Sequence, residues 1–66
     1  MTLGGELKKA RLAAGVTQEE LAFKAEISRN YVSLLELDEK SPTVQVLLRV
    51  CRALGVKASK IMSRVE

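Results

Sequence analysis

The fold is decided by residues 16–36, VTQEELAFKAEISRNYVSLLE, which predict two short helices joined by a tight turn. Thr17 and Glu20 form the pattern of a capping box, in which each side chain binds the other residue's amide at a helix start. Ser28 is a favoured N-cap residue for the second helix. A hydrophobic staple brackets each cap, formed by Val16 with Leu21 and by Ile27 with Val32. We expect the first helix to end near Ala25 and the pair to form a helix-turn-helix.

Three further helices are predicted around this pair, and no segment shows the alternation of a strand. The first covers about residues 3–14 and is ended by Gly15, and the fourth runs to about residue 54 and is ended by Gly55. The fourth begins either at a Thr43 cap or at a Ser41 cap with Pro42 in its first turn. The fifth covers about residues 58–64. The expected fold is one compact, all-α, five-helix domain of repressor-like type over residues 1–66.

Composition argues against several classes of protein. The chain has 66 residues, one cysteine and no histidine, and we find no nucleophile paired with a base, no phosphate loop and no metal-ligand spacing. Cys51 is expected to be a small core residue. No apolar run approaches the roughly 20 residues of a membrane span, and the start of the chain lacks the pattern of a signal peptide. We therefore expect a cytoplasmic protein that is not an enzyme and has no cofactor, metal, membrane partner or small-molecule ligand.

The second helix of the pair carries residues suited to reading DNA. In a helix-turn-helix this helix enters the major groove, and its first residues reach the base edges. Arg29 and Asn30 stand in its first turn. Arginine can donate two hydrogen bonds to guanine, and asparagine can form two with adenine. The net charge of +3 permits an anionic partner. Double-stranded DNA is therefore the expected partner.

The chain also resembles a known family along nearly its whole length. Residues 16–22 (VTQEELA), 27–33 (ISRNYVS) and 35–36 (LE) look like the XRE family of phage Cro and repressor proteins. Residues 41–44 (SPTV) through 53–56 (ALGV) look like the fourth helix of that family and its end. The short length and the SRNY start of the recognition helix also resemble the controller proteins of restriction-modification systems.

This resemblance implies a role for each matching position. Base reading would fall to Arg29, Asn30 and Ser33. Backbone phosphates would be contacted by Thr17, Gln18, Ser28, Tyr31, Lys40 and Thr43, although Tyr31 could instead be a packing residue. Arg11 and Glu36 occupy the positions at which the family keeps a partly buried ion pair.

Three positions depart from the family pattern. Glu26 stands in the turn where the family has glycine, and a left-handed backbone there costs glutamate about 1 kcal/mol. Asp38 replaces another frequent glycine. Together with Glu39 it puts negative charge near the expected phosphates, which weakens binding unless the side chains point away. Leu34 stands where some relatives have a polar base-reading residue, so readout is expected to concentrate in the first turn.

Helices four and five carry more apolar surface than so small a domain is expected to bury. On helix four, Gln45, Arg49 and Arg52 form one narrow polar stripe, and apolar residues occupy most other positions of 44–54. A contiguous exposed apolar patch usually marks an interface. The interface is predicted at Val46, Val50, Ile61, Met62 and Val65.

We therefore predict a symmetric homodimer that acts as a transcription regulator. Two-fold symmetry would set two recognition helices about 34 Å apart on a palindromic operator. Two alternatives stay open. All the apolar residues could fit within one core, or helices four and five could bind a different protein, as in an antitoxin or adaptor.

Overall fold

The computed structural model describes residues 2–66, which form five helices and contain no strand. The helices are α1 Leu3–Ala14, α2 Gln18–Ala25, α3 Arg29–Glu36, α4 Val44–Leu54 and α5 Ala58–Ser63. Met1, part of the predicted domain, lies outside the described residues. The Cα radius of gyration is 10.2 Å, close to the roughly 11 Å expected of a folded chain of this length. The all-α, five-helix prediction is confirmed, and none of the described helices is long and apolar enough to cross a membrane.

Side-chain caps start the first four helices. The capping box is present, since Thr17 Oγ1 accepts a hydrogen bond from the Glu20 amide at 3.0 Å and Glu20 Oε1 accepts one from the Thr17 amide at 2.9 Å. These bonds hold the pKa of the Glu20 carboxyl below its usual value. Thr43 caps α4 by accepting a hydrogen bond from the Val46 amide at 3.1 Å. Of the two predicted starts, α4 therefore uses the Thr43 cap and not the Ser41 cap. Helix α5 begins at Lys57 without a side-chain cap.

The same left-handed turn ends α1, α2, α3 and α4. The left-handed residues are Gly15, Glu26, Asp38 and Gly55. In each case the next amide bonds back across the last helical turn, as the Ile27 amide does to the Ala22 carbonyl at 3.0 Å. Glu26 has φ 60 and ψ 42, so the strain expected of a glutamate at this position is present.

The core lies between α1, α2 and α4 and receives one side chain each from α3 and α5. Its buried members are Leu7, Leu21, Ala22, Ala25, Val32, Val50, Cys51, Leu54 and Ile61. Cys51 is a core residue as expected, and burial raises the pKa of its thiol.

Two residues assigned to the dimer interface are corrected by this packing. Val50 is 1% exposed and Ile61 3% exposed, so neither has surface to offer a second molecule. Val46 and Val65 are half-buried, and Met62 is 47% exposed. The exposed apolar residues of α4 are instead Val44 and Leu48, one helical turn apart. The side of α4 opposite its polar stripe carries Val50, so the helical pattern directs this residue to the core, and the interface prediction did not take that into account.

A buried carboxylate lies between α1 and the end of α5. Glu6 is only 1% exposed. Its oxygens lie 3.7 Å from the Lys9 ammonium and 3.9 Å from an Arg64 guanidinium nitrogen, and Oε2 accepts no hydrogen bond among the described residues. Both cations are more than half exposed. No sequence pattern indicated that this glutamate is buried.

Candidate nucleic-acid interface

Helix α3 presents its first turn to solvent and its remainder to the core. Ser28 caps the helix by accepting a hydrogen bond from the Tyr31 amide at 3.0 Å. Val32, Leu35 and Glu36 are buried. At 3.6 residues per turn the opposite side carries Asn30 and Ser33, with Arg29 at the exposed start. The three predicted base-reading residues therefore share the accessible side of α3, with Ser33 half-buried.

A shallow cavity of about 480 Å³ joins α3 to the start of α2. It is lined by Arg11, Leu12, Gly15, Val16, Thr17, Gln18, Glu19 and Arg29. The cavity thus brings a residue expected to read bases together with two expected to contact phosphate. The start of α2 supplies the positive end of a helix dipole, which favours an anion.

The base of α3 is fixed by a buried ion pair with α1. Arg11 Nε donates to Glu36 Oε2 at 2.7 Å, and Arg11 Nη2 donates to Glu36 Oε1 at 3.2 Å. Arg11 Nη1 also donates to the Val16 carbonyl at 3.0 Å. Both side chains are buried, so the two residues meet as the resemblance implied.

Gln18 belongs to this network, which the sequence did not indicate. Its Nε2 donates to Glu36 Oε1 at 3.0 Å. An amide nitrogen carries two N–H groups, so one remains to face an anion. The expected phosphate ligand of α2 is therefore hydrogen-bonded directly to the last residue of the recognition helix.

The other expected phosphate contacts lie at the edges of this surface. The hydroxyls of Thr17, Ser28 and Thr43 each cap a helix. Tyr31 is half-buried, in keeping with either role considered for it, and Lys40 is exposed in the loop before α4.

The two acids of that loop behave differently. Asp38 Oδ1 accepts a hydrogen bond from the Gly4 amide at 2.9 Å, so its carboxylate is engaged with α1. Glu39 is exposed. The Asp38 carboxylate is thus held against α1 but keeps its charge, and Glu39 carries a second negative charge at the surface.

A family model described as helix-turn-helix matches residues 7–61. The chain belongs to this helix-turn-helix family. It is 39% identical over 62 residues to the immunity repressor protein of Bacillus phage phi105, covering 94% of this chain and 43% of that protein. It is 36% identical over 66 residues to the HTH-type transcriptional regulator ImmR of Bacillus subtilis, covering 100% of this chain and 52% of that protein. The chain thus spans about half the length of these curated relatives.

Solved structures agree with this family. The clp gene regulator ClgR of Corynebacterium glutamicum superposes with a TM-score of 0.90 at 36% identity, over 92% of this chain and 65% of that one. The restriction-modification controller protein C.AhdI of Aeromonas hydrophila gives a TM-score of 0.87 at 29% identity, over 89% of both chains. The resemblance to repressors and controller proteins is confirmed. The relatives are named as regulators, in agreement with the expectation that the helix-turn-helix chain is not an enzyme.

Proposed function

We propose that this helix-turn-helix chain binds double-stranded DNA in a sequence-specific manner as a transcription regulator. The observation that carries the proposal is the exposed first turn of α3, which presents Arg29 and Asn30 to solvent. Arg29 also lines the cavity at the start of α2, and the ion pair of Arg11 with Glu36 holds the other end of the helix. Relatives named as repressors and transcriptional regulators support it. Such a protein acts on cytoplasmic DNA, and the proposed mechanism requires no cofactor or small-molecule ligand.

In this proposal α3 lies in the major groove and α2 meets the backbone. Arg29 binds the acceptors of a guanine, Asn30 binds an adenine, and Ser33 contacts a neighbouring base. Phosphates are bound by Thr17, Gln18, Ser28, Tyr31, Lys40 and Thr43, which set the position of the helix without reading sequence.

The assay starts by selecting bound sequences from random DNA and measures two variants against every single-base change of the selected site. Arg29→Ala should lose about 1–3 kcal/mol of discrimination at one guanine position. Lys40→Ala should weaken binding to all sequences about equally and reduce the salt slope by about 1. Lys40 is preferred to Gln18 because the Gln18 side chain also binds Glu36. Lys24→Ala, which removes the same charge from the exposed side of α2, should change little.

Two results would count against the roles assigned. A uniform loss for Arg29→Ala across the panel would show that this residue does not read a base. Failure to recover any preferred sequence, with a folded protein confirmed by circular dichroism, would refute sequence-specific binding itself.

We further propose that the chain binds a palindromic operator as a homodimer joined through α4 and α5. Support comes from the exposed apolar side chains on these helices, Leu48 at 48% and Met62 at 47%, with Val44 one turn before Leu48. Val46 and Val65, both half-buried, would lie at the edge of the contact. Burial of these side chains against a second copy of the chain removes apolar surface from water in both molecules.

Sedimentation equilibrium at micromolar concentration tests the dimer. Leu48→Asp should convert the dimer to monomer and weaken operator binding. Leu12→Asp is the matched control for the molecular mass alone, because Leu12 is an exposed leucine at 59% on α1, outside the proposed dimer contact but in the lining of the cavity at the start of α2. A wild-type monomer whose operator affinity is unaffected by Leu48→Asp would refute the dimer and would favour a different protein as the occupant of this face.

A further inference from the structure

The side chain of Asp38 caps the first turn of α1 by binding the Gly4 amide, 34 residues earlier in the chain. The Gly4 amide of α1 donates to Asp38 Oδ1 at 2.9 Å, while the Gly5 amide donates to the Thr2 hydroxyl at 3.0 Å. Amides in the first turn of a helix have no partner within that helix. Asp38 therefore completes a cap that Thr2 only begins, and it does so from the left-handed turn that follows α3.

The two helix ends meet without intervening side chains. A β-carbon placed on Gly4 would overlap the carbonyl oxygen of Leu35 and would lie 2.8 Å from that of Glu36. The positive end of the α1 dipole thus faces the negative end of the α3 dipole. Asp38 itself has φ 60, a left-handed conformation that aspartate tolerates better than most residues.

Two anchors therefore hold the base of α3 against α1. One is the contact of Gly4 with Asp38, and the other is the ion pair of Arg11 with Glu36. Seven residues separate Gly4 from Arg11, which places the anchors about 10 Å apart along α1. A single anchor would leave α3 free to tilt about it, whereas two anchors fix the angle between the helices.

That angle decides where the far end of α3 lies. Arg29 is seven residues from Glu36, so a tilt of about 10° at the base moves the start of α3 by about 2 Å. Base recognition requires hydrogen-bonding groups to be placed within about 0.5 Å. Contacts with phosphates through the flexible side chain of Lys40 tolerate such a shift, because they follow charge rather than a two-point geometry.

We propose that Asp38 is a positioning residue for base reading, which holds the angle between α1 and the recognition helix α3 by capping α1. This inference rests on the proposed function, since it assigns the selectivity of the same site to a residue outside it. It predicts that loss of the cap lowers affinity for the operator more than affinity for unrelated DNA.

The test compares Asp38→Gly with Asp38→Asn. Both variants remove the charge and both residues tolerate a left-handed backbone, but only asparagine keeps an oxygen that accepts from the Gly4 amide. The measured quantity is the ratio of operator affinity to non-specific affinity, at a temperature where each protein is fully folded. Asp38→Asn should keep the ratio within about twofold, and Asp38→Gly should lower it about tenfold, the size expected when one two-point base contact weakens.

This ratio separates positioning from stability and from charge. A smaller folded fraction lowers both affinities by the same factor and leaves their ratio unchanged. Glu39→Gln is the control for charge, because it removes a carboxylate one position along. It should raise both affinities together, since phosphate repulsion carries no sequence information.

A measurement without DNA completes the test. Residual dipolar couplings of the backbone amides give the angle between α1 and α3, which should change in Asp38→Gly and not in Asp38→Asn. An unchanged angle and ratio in Asp38→Gly would overturn the inference. Equal losses in both variants would overturn the hydrogen bond as its cause. A wild type without sequence preference would refute the proposed function instead, and the couplings alone would then decide whether Asp38 sets the angle.

Discussion

Replacing Glu36 with alanine should be among the most damaging changes of a polar residue in this chain. Glu36 accepts two hydrogen bonds from Arg11, at 2.7 and 3.2 Å, and one from Gln18 at 3.0 Å. Without it, the buried guanidinium of Arg11 keeps only the Val16 carbonyl as a partner. Breaking a buried pair by removing one member costs about 3–5 kcal/mol, because the remaining charge is left in a poorly solvated site.

The expected loss lies at the lower end of that range, about 3 kcal/mol, because Arg11 retains one hydrogen bond and its network opens on the shallow cavity at the start of α2. A chain of 66 residues has a total free energy of unfolding of only about 3–10 kcal/mol. The variant should therefore be partly or wholly unfolded at 37 °C. Urea unfolding followed by circular dichroism at low temperature measures the difference.

A double-mutant cycle distinguishes loss of the pair from simple loss of packing. Arg11→Met alone leaves the Glu36 carboxylate without its main partner, whereas Arg11→Met combined with Glu36→Leu removes both charges and fills the space with apolar atoms. The double variant should be more stable than the two single losses added together would give. The control is Glu39→Ala, an exposed acid nearby, which should change stability by less than about 0.5 kcal/mol. A Glu36→Ala loss no larger than that of the control, or strict additivity in the cycle, would refute the reasoning.

Three further changes have defined expected effects on the urea midpoint. Glu26→Gly should raise the free energy of unfolding by up to about 1 kcal/mol, because glycine adopts φ 60 without strain; an unchanged or lower value would contradict the strain. Glu6→Gln should raise stability by about 1 kcal/mol, because it removes a buried charge whose cationic partners are exposed and lie 3.7 and 3.9 Å away. Glu36→Gln should lower stability. A change of the same sign in both variants would show that hydrogen bonding does not distinguish the two glutamates. Gly4→Ala should lower stability by about 2 kcal/mol or more, because the added β-carbon would meet the backbone of α3. Gly5→Ala is the control and should have a small effect, because its β-carbon would face only the Thr2 side chain. Equal effects would show that α1 and α3 are not in close contact.

The helix ends could be predicted from the sequence because their causes are local. A cap residue and the amide it binds lie three positions apart, as Thr17 and Glu20 do. The left-handed residue that ends a helix follows its last turn directly. Thr43 and Ser41 were alternative caps for α4, and the three-dimensional structure identifies Thr43 as the cap.

The inward direction of α4 follows from its polar stripe, which the interface prediction did not use. At about 3.6 residues per turn the side opposite Arg49 and Arg52 carries Leu54, flanked by Val50 and Cys51. Val50 and Leu54 are buried where α2 and α1 pack against α4. Val44 and Leu48 remain on the surface, so the proposed contact with a second molecule lies on a different side of α4 from the one predicted.

The polar contacts that matter most for the recognition helix were the least accessible to sequence reasoning. Gln18 and Gly4 bind partners 18 and 34 residues away, and neither spacing is a pattern that a local rule can detect. Both contacts nevertheless end at the base of α3, on its last residue Glu36 and on Asp38 two residues beyond it. The long-range hydrogen bonds described above therefore hold α3 by its base, while its first turn is held by the local Ser28 cap and by apolar packing. A helix fixed in this way can present Arg29 and Asn30 at a defined angle without using their side chains to hold itself in place, which leaves their hydrogen-bonding groups available to the bases of a DNA site.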